Sequence, residues 1–286
     1  MNDLSFAEAT GLKPKIKIVD VGASPIDGAP PYAALLTTTE TEVVGFEPDW
    51  EAWNVLQKTK SSNEVYLPFA LGDGRNHELK VCAAPGMTSL LEPNQPILQL
   101  LPGFPEWGQV VRRLNVETRR LAEVDEARDV DYLKLDIQGA ELLVLRHAGE
   151  RLREACVLHV EVEFLRLYQD QPLFSDVDTF LRRHGFVLHK LQNSVSRLIA
   201  PMRLDGNPYQ GLSQIVWADA VYIREFERVH ELSDRKLLAT AAILHDCYRS
   251  YDVCMHFLAR SDERTGGNLV SAYLKSLQQT SGAAAA

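Results

Sequence analysis

The chain has 286 residues, 45% hydrophobic and 24% charged, the balance of a globular protein with a sizeable core. That length accommodates one α/β domain of about 200 residues plus an extension. A formal net charge of −9 leaves no electrostatic footprint for nucleic acid, and no apolar run approaches the roughly 18 residues of a membrane span. The start, Met1-Asn2-Asp3-Leu4, lacks a basic-then-apolar signal pattern, so a cytoplasmic location is expected. Cys82, Cys156, Cys247 and Cys254 show no metal or redox spacing and read as small buried hydrophobes in a reducing compartment.

Residues 1–15 read as a lead-in. From 16 to about 193, short apolar runs alternate with helical patterns, which predicts a parallel sheet with crossover helices. Ile16–Val21 is the first strand, with Asp20 near its end. In the turn that follows, Gly22 lets the backbone approach a ligand closely, or simply makes a tight turn. No G-x-G-x-x-G is present, Gly28 being the next glycine, and no phosphate-binding G-K-[ST] occurs. Tyr32–Leu36 belongs to a helix. Val43–Phe46 is the second strand and ends at Glu47, whose paired acceptors suit both hydroxyls of a ribose. The same residue also suits the positive end of the helix around Trp50–Lys58.

Val65–Phe69 is the third strand and Leu79–Ala83 an extra one. Residues 84–108 are rich in Pro and Gly, and a loop of this length is either a lid, with Met87–Pro93 closing on a ligand, or plain surface. Val110–Thr118 has strand character. Trp50, Trp53, Trp107 and Trp217 fit core or rim packing better than stacking platforms.

Tyr132–Leu135 is an apolar strand that ends in Asp136, and Gly139-Ala140-Glu141 then opens the helical run Leu142–Arg146. A carboxylate at that place stands at the mouth of the sheet, where ligands bind. Asp20, Glu47 and Asp136 together describe a cleft for a polyhydroxy or cationic ligand. Lys134 shares a strand face with Asp136, and His159, Glu161 and Glu163 share a face of Cys156–Glu163. Such carboxylates bind a metal or take a proton from a hydroxyl. The alternative is an ion pair between Lys134 and a Glu that only orders the sheet. Phe174–His184 is a helix ended by Gly185, and Phe186–Leu191 a strand. After the linker Ser194–Gly211, Ile215–Arg224 is expected to return antiparallel to it. Residues 228–279 are helical by pattern, with a break at Ser261–Gly267. The expected organisation is a domain over 1–226, a helical extension over 227–280 and a disordered tail over 281–286.

These features together resemble an S-adenosylmethionine-dependent methyltransferase of the FkbM family over about residues 16–224. The strings that carry the resemblance begin with Val19-Asp20-Val21-Gly22-Ala23, Gly45-Phe46-Glu47-Pro48 and Ala70-Leu71-Gly72-Asp73. They continue with Thr88–Pro93 and Glu161-Val162-Glu163-Phe164. The most specific is Lys134-Leu135-Asp136-Ile137-Gln138-Gly139-Ala140-Glu141. The resemblance implies a seven-strand, class I (Rossmann-like) α/β sheet with the last strand antiparallel. It implies O-methylation of a sugar, glycan or polyketide-type acceptor, with cofactor contacts from Asp20, Gly22, Ala23, Ser24, Glu47, Pro48, Ala70, Leu71, Ser89 and Asp136. Two departures stand out. Ser24-Pro25-Ile26-Asp27-Gly28 replaces a plainer turn, and Arg120-Leu121-Ala122-Glu123 stands where relatives often carry Leu-Asp-Asp.

A sugar hydroxyl is a poor nucleophile until a base or metal takes its proton. Asp136 is the first candidate, as base or as ligand to a divalent metal such as magnesium, with Glu163 and Glu161 as partners. Glu141 either joins them or holds the helix start. The expected partner is a small-molecule or glycan acceptor, with no nucleic acid and no membrane span. The C-terminal helices serve homodimerisation or substrate docking. The rival enzyme, an NAD-dependent oxidoreductase, wants the glycine-rich turn that is missing. A non-catalytic scaffold is opposed by intact Asp136 and Glu141.

Overall fold

A computed structural model describes residues 4–23 and 28–283, with side chains up to 279. The described strands are β1 (Lys15–Val21), β2 (Glu40–Phe46), β3 (Glu64–Leu67), β4 (Ala70–Leu71), β5 (Asn76–Cys82), β6 (Val110–Arg119), β7 (Tyr132–Leu135), β8 (Val157–Glu163), β9 (Phe186–Arg197) and β10 (Gln214–Arg224). Seven of them form one sheet in the order β3-β2-β1-β7-β8-β10-β9. β10 runs antiparallel to both its neighbours and the other pairings are parallel. This is the sheet expected from the sequence, with the returning strand inserted between β8 and β9. β9 is longer than its apolar pattern suggested, reaching Arg197 where the linker was expected to start at 194.

The physical origin of the sheet is plain in β1 and β7. Tyr132, Leu133 and Leu135 are fully buried, as are Ile16, Ile18 and Val19. A strand covered on both faces reads as a continuous apolar run. One face packs against Leu142, Val144, Leu145, Val177 and Leu181 from two helices. The other face packs against the helices Asp234–Asp246 and Tyr251–Thr265 and against Phe6 at the start of the chain. The C-terminal helices therefore share one core with Ile16, Ile18, Tyr132, Val157 and Val221. The last helix runs Leu269–Ala283, into the stretch expected as a tail; residues 284–286 lie outside the described residues.

The long segment after β5 is not an open loop. It holds a short 3-10 turn, Pro85–Met87, and the helices Gln95–Leu98 and Phe104–Trp107. Leu98, Leu101 and Phe104 pack with Tyr168 and Val216 in a satellite core. β4, β6 and β5 form a separate three-stranded sheet beside the main one. Among the described residues, no helix is long and apolar enough to cross a membrane.

The strand order reverses between β1 and β7, since the chain leaves β1 toward β2 and comes back on its other side at β7. A crevice opens beyond the carboxyl ends of the strands at such a point.

Candidate active site

A cavity of about 510 Å³ occupies that crevice. Its floor is Val21 and Gly22 after β1, Phe46 and Glu47 after β2, and Asp136 after β7. Phe69, Ala70 and Leu71 form one side, Ala52 and Val55 another. Pro85, Gly86, Thr88, Ser89 and Leu90 roof it. Of the residues expected at the site, Gly22, Glu47, Pro48, Ala70, Leu71, Ser89 and Asp136 line this cavity. Asp20, Ala23, Glu141, Glu161 and Glu163 stand outside the lining, and Ser24 lies outside the described residues.

Asp20 is buried, and its carboxylate is taken up by the protein. Oδ2 accepts from Tyr32 Oη at 2.6 Å, and Oδ1 stands 3.1 Å from Lys134 Nζ. Lys134 Nζ also donates to Gly22 O at 3.2 Å and lies 3.7 Å from Asp136 Oδ2. Burial alone lowers the Lys134 pKa, but Asp20 and Asp136 outweigh it and the net shift is upward. The alternative reading, an ion pair of Lys134 with a Glu that orders the sheet, is met instead by Asp20, which faces Lys134 from β1.

Glu47 is 7% exposed, and its Oε1 accepts the Asp49 N–H at 2.8 Å. Burial, with Asp49 and Asp20 adding repulsion, lifts its pKa to about 7. A carboxyl held at this point is desolvated and short of donors. A ligand offering hydroxyl donors would satisfy it.

After β7 the chain makes a tight turn through Gln138 (φ +58°) and Gly139 (φ +98°). Glu141 closes this turn from inside: its Oε1 accepts the Ile137 N–H at 2.8 Å and the Gly139 N–H at 3.2 Å. Burial pushes Glu141 up to about 7, against the pull of these backbone donors. Gln138 Nε2 donates to Glu161 Oε2 at 2.6 Å and to Asp136 Oδ1 at 3.2 Å. Burial first, then the Asp136 charge, raises Glu161 well above the carboxylate range. Glu163 rises similarly, through burial and then Glu141. Asp136 is the one member of this carboxylate group that lines the cavity.

Ser89, 1% exposed, spends its hydroxyl on structure: Oγ donates to Gln138 O at 2.7 Å and accepts the Leu91 N–H at 3.0 Å. Arg112, on β6, lines the cavity and pairs with Asp49 at 3.4 Å. The sequence reasoning missed Arg112, Gln138 and Tyr168. Gln138 lay inside the most specific string, but only its left-handed backbone and its two carboxylate partners reveal its place. Tyr168 carried no sequence signal.

The magnesium left open by the sequence finds no ready cage. No group of three or more His, Cys, Asp or Glu side chains among the described residues is arranged to hold a metal. A cation bridging Asp136 and Glu161 would compete with the carboxamide N–H₂ that already sits between them.

The domain model described as methyltransferase FkbM domain matches residues 20–188 of the chain. No curated protein matches it. Among solved structures, an uncharacterised protein from Listeria monocytogenes is 12% identical, with 92% of this chain and 93% of that one covered and a TM-score of 0.37. A SAM-dependent methyltransferase from Aquifex aeolicus is 13% identical, covering 77% of this chain and 91% of that one at a TM-score of 0.31. Precorrin-6y C5,15-methyltransferase from Geobacter metallireducens is 10% identical, covering 76% of this chain and 84% of that one at a TM-score of 0.35.

Proposed function

We propose, since the chain belongs to the FkbM methyltransferase family, that its cleft binds S-adenosylmethionine and that the acceptor is a hydroxyl of a sugar, glycan or polyketide-type molecule. The observation that carries the reading is Glu47: a buried carboxylate, short of donors, facing the cavity at the end of β2. A ribose diol supplies the two donors it lacks. Beside it, Phe69, Ala70, Leu71, Ala52 and Val55 make an apolar slot of the kind a flat purine fills. When bound, the cofactor supplies a methyl group on a positively charged sulfur.

The protein's own part is alignment and proton removal. Asp136 stands across the cavity floor from Glu47, partly open, with Lys134 behind it. Its free carboxylate face would be available to accept the acceptor's O–H proton as the new C–O bond forms and the methyl's bond to sulfur breaks, leaving a neutral thioether. Lys134 and Asp20, already paired, hold that face in position and keep the Gly22 carbonyl fixed. Glu141 keeps the turn shape. Glu161 and Glu163 are the reserve carboxylates behind Asp136. Proximity and alignment in such a cleft can supply about 7–11 kcal/mol of the barrier reduction.

Two measurements test this. Calorimetry with S-adenosylhomocysteine and with NAD⁺ should give saturable binding for the first alone. Methyl-labelled S-adenosylmethionine, offered with a panel of methyl glycosides, should leave label on ether oxygen. Binding of NAD⁺ instead, or label found on nitrogen when amino glycosides are added, would remove the reading.

A further inference from the structure

We propose that Gln138 is a positioning residue that aims the Asp136 carboxylate into the cavity and does so only while the roof segment 85–90 is docked. The inference rests on the role given to Asp136 above and adds the device that orients it.

The geometry joins three elements at one side chain. On the floor, the Gln138 carboxamide donates to Asp136 Oδ1 at 3.2 Å and to Glu161 Oε2 at 2.6 Å. The amide nitrogen faces both carboxyl groups, because a flipped amide would set Oε1 against the Asp136 oxygen and leave its N–H₂ toward Tyr168. On the other side, the single Tyr168 O–H donor faces two acceptors, the Met87 carbonyl of the roof at 3.1 Å and Gln138 Oε1 at 3.4 Å, so the amide and the roof share it. Ser89 Oγ donates to the Gln138 backbone carbonyl at 2.7 Å, a second link to the roof. Ser89 and Tyr168 are both essentially buried, so neither link competes with bulk water.

The backbone shows that this placement is imposed. Gln138 holds φ +58° although it is not glycine. That conformation costs an L-residue free energy, and such residues persist where surrounding contacts over-determine them. Glu141 from below and Ser89 from above supply those contacts. A side chain leaving a left-handed backbone points to a different place than it would from a helix. Here it points between β7 and β8. With the roof lifted, the Ser89 bond to the Gln138 carbonyl is lost and Tyr168 loses its Met87 acceptor, so of these contacts the turn keeps those of Glu141 from below. The Asp136 carboxylate then keeps only the 3.7 Å approach of Lys134, which draws it back toward Asp20.

Gln138→Met keeps size and removes both donors, and Ser89→Ala removes a roof link without touching the carboxylates. On any methyl glycoside that accepts label in the assay above, Gln138→Met should lower kcat by roughly 10- to 100-fold, the scale of a misaligned reacting group. KM for the glycoside and Kd for S-adenosylhomocysteine should change much less than kcat, since the Gln138 amide is spent on Asp136 and Glu161 and the Ser89 hydroxyl on backbone groups. Ser89→Ala should give a smaller kcat loss, and the double variant should fall short of the product of the two. Hydrogen exchange with S-adenosylhomocysteine bound should quicken across 85–90 in both variants. Wild-type kcat in Gln138→Met, or a loss carried wholly by KM, overturns the proposal. If Asp136→Asn turns over normally, the role of Asp136 is wrong; Gln138 is then judged by roof exchange and by the Asp136 side-chain orientation in a crystal structure of Gln138→Met. Both unchanged from wild type would dispose of it independently.

Discussion

Gly22 and Asp136 occupy adjoining strand ends with no room for a side chain between them. A Cβ on Gly22 would overlap the Asp136 carbonyl oxygen, and the Asp136 N–H donates to Val21 O at 3.1 Å. Gly22 also holds φ +84°. The glycine that the sequence suggested for close approach to a ligand is needed first for close approach of β1 to β7. Gly22→Ala should therefore destabilise the protein by about 2–4 kcal/mol, strain and overlap combined. Urea unfolding at constant m-value measures it. A loss below about 0.5 kcal/mol would mean that the two strand ends separate freely.

Glu47 gives a pH signature. Its folded pKa is raised to about 7 from an ordinary 4.5, mainly by burial. A raised acid pKa means that the folded state holds its proton more tightly than the unfolded one. Stability of the unliganded protein from this group is therefore full below about 4.5 and is lost as pH rises to about 7. Ribose hydroxyls donate to the ionised form, so affinity for S-adenosylhomocysteine should move the other way and tighten as pH rises through neutrality. Glu47→Gln should flatten that dependence and weaken binding by about 1–3 kcal/mol. Calorimetry on either side of neutral pH checks both. A wild-type affinity that is flat with pH would take Glu47 out of the ribose contact.

How much of this was readable in advance follows from where each signal resides. β1, β2 and β7 announce themselves through apolar stretches where both faces are covered, Ile18-Val19, Val43-Val44 and Tyr132-Leu133, with an acidic residue, Asp20, Glu47 or Asp136, at or near each end. The antiparallel return of β10 on β9 was legible for a similar reason. The three-stranded sheet of β4, β6 and β5 was not, since β4 has only two residues and its pairing with β6 is set by chain distant in sequence. The inward partners were equally hidden. Tyr32 reaches Asp20 from 12 positions away, and Tyr168 reaches Met87 from 81. Nothing local marks either. Spacing alone put Asp20 beside Glu47 and Asp136 as a third cleft carboxylate. It is instead the buried counter-ion of Lys134.

The C-terminal helices bear on stability. Phe257, Leu244 and Tyr248 pack in one core with Ile16, Ile18, Tyr132 and Val157. Asp131, fully buried, ties the layers by ion pairs to Arg235 Nη1 at 2.7 Å and Lys236 Nζ at 3.0 Å. A chain ending at residue 226 would leave that face of the sheet bare. We expect it to lack a cooperative thermal transition and fixed near-ultraviolet circular dichroism. Asp131→Ala in the full chain should cost about 3–5 kcal/mol, the usual result of removing one partner of a buried pair. A soluble, cooperatively folding 1–226 fragment would show that the helices are an appendage.

The chemistry at Asp136 is the prediction with the most at stake. Asp136 lines the cavity, whereas Glu161 and Glu163 sit behind it and burial biases both toward the protonated form. Asp136→Asn keeps shape and removes charge and basicity. Turnover on a methyl glycoside should fall roughly 10²–10⁴-fold, the usual worth of a positioned base, with S-adenosylhomocysteine affinity little changed. If turnover falls only in step with cofactor affinity, Asp136 is a binding residue and Glu161 becomes the candidate base. The carboxamide of Gln138 already bridges Asp136 and Glu161, so the wild-type reaction should also be insensitive to a chelator. Activity abolished by chelation and restored by magnesium would require Gln138 to yield its place to the ion. The bare-carboxylate mechanism would then be wrong.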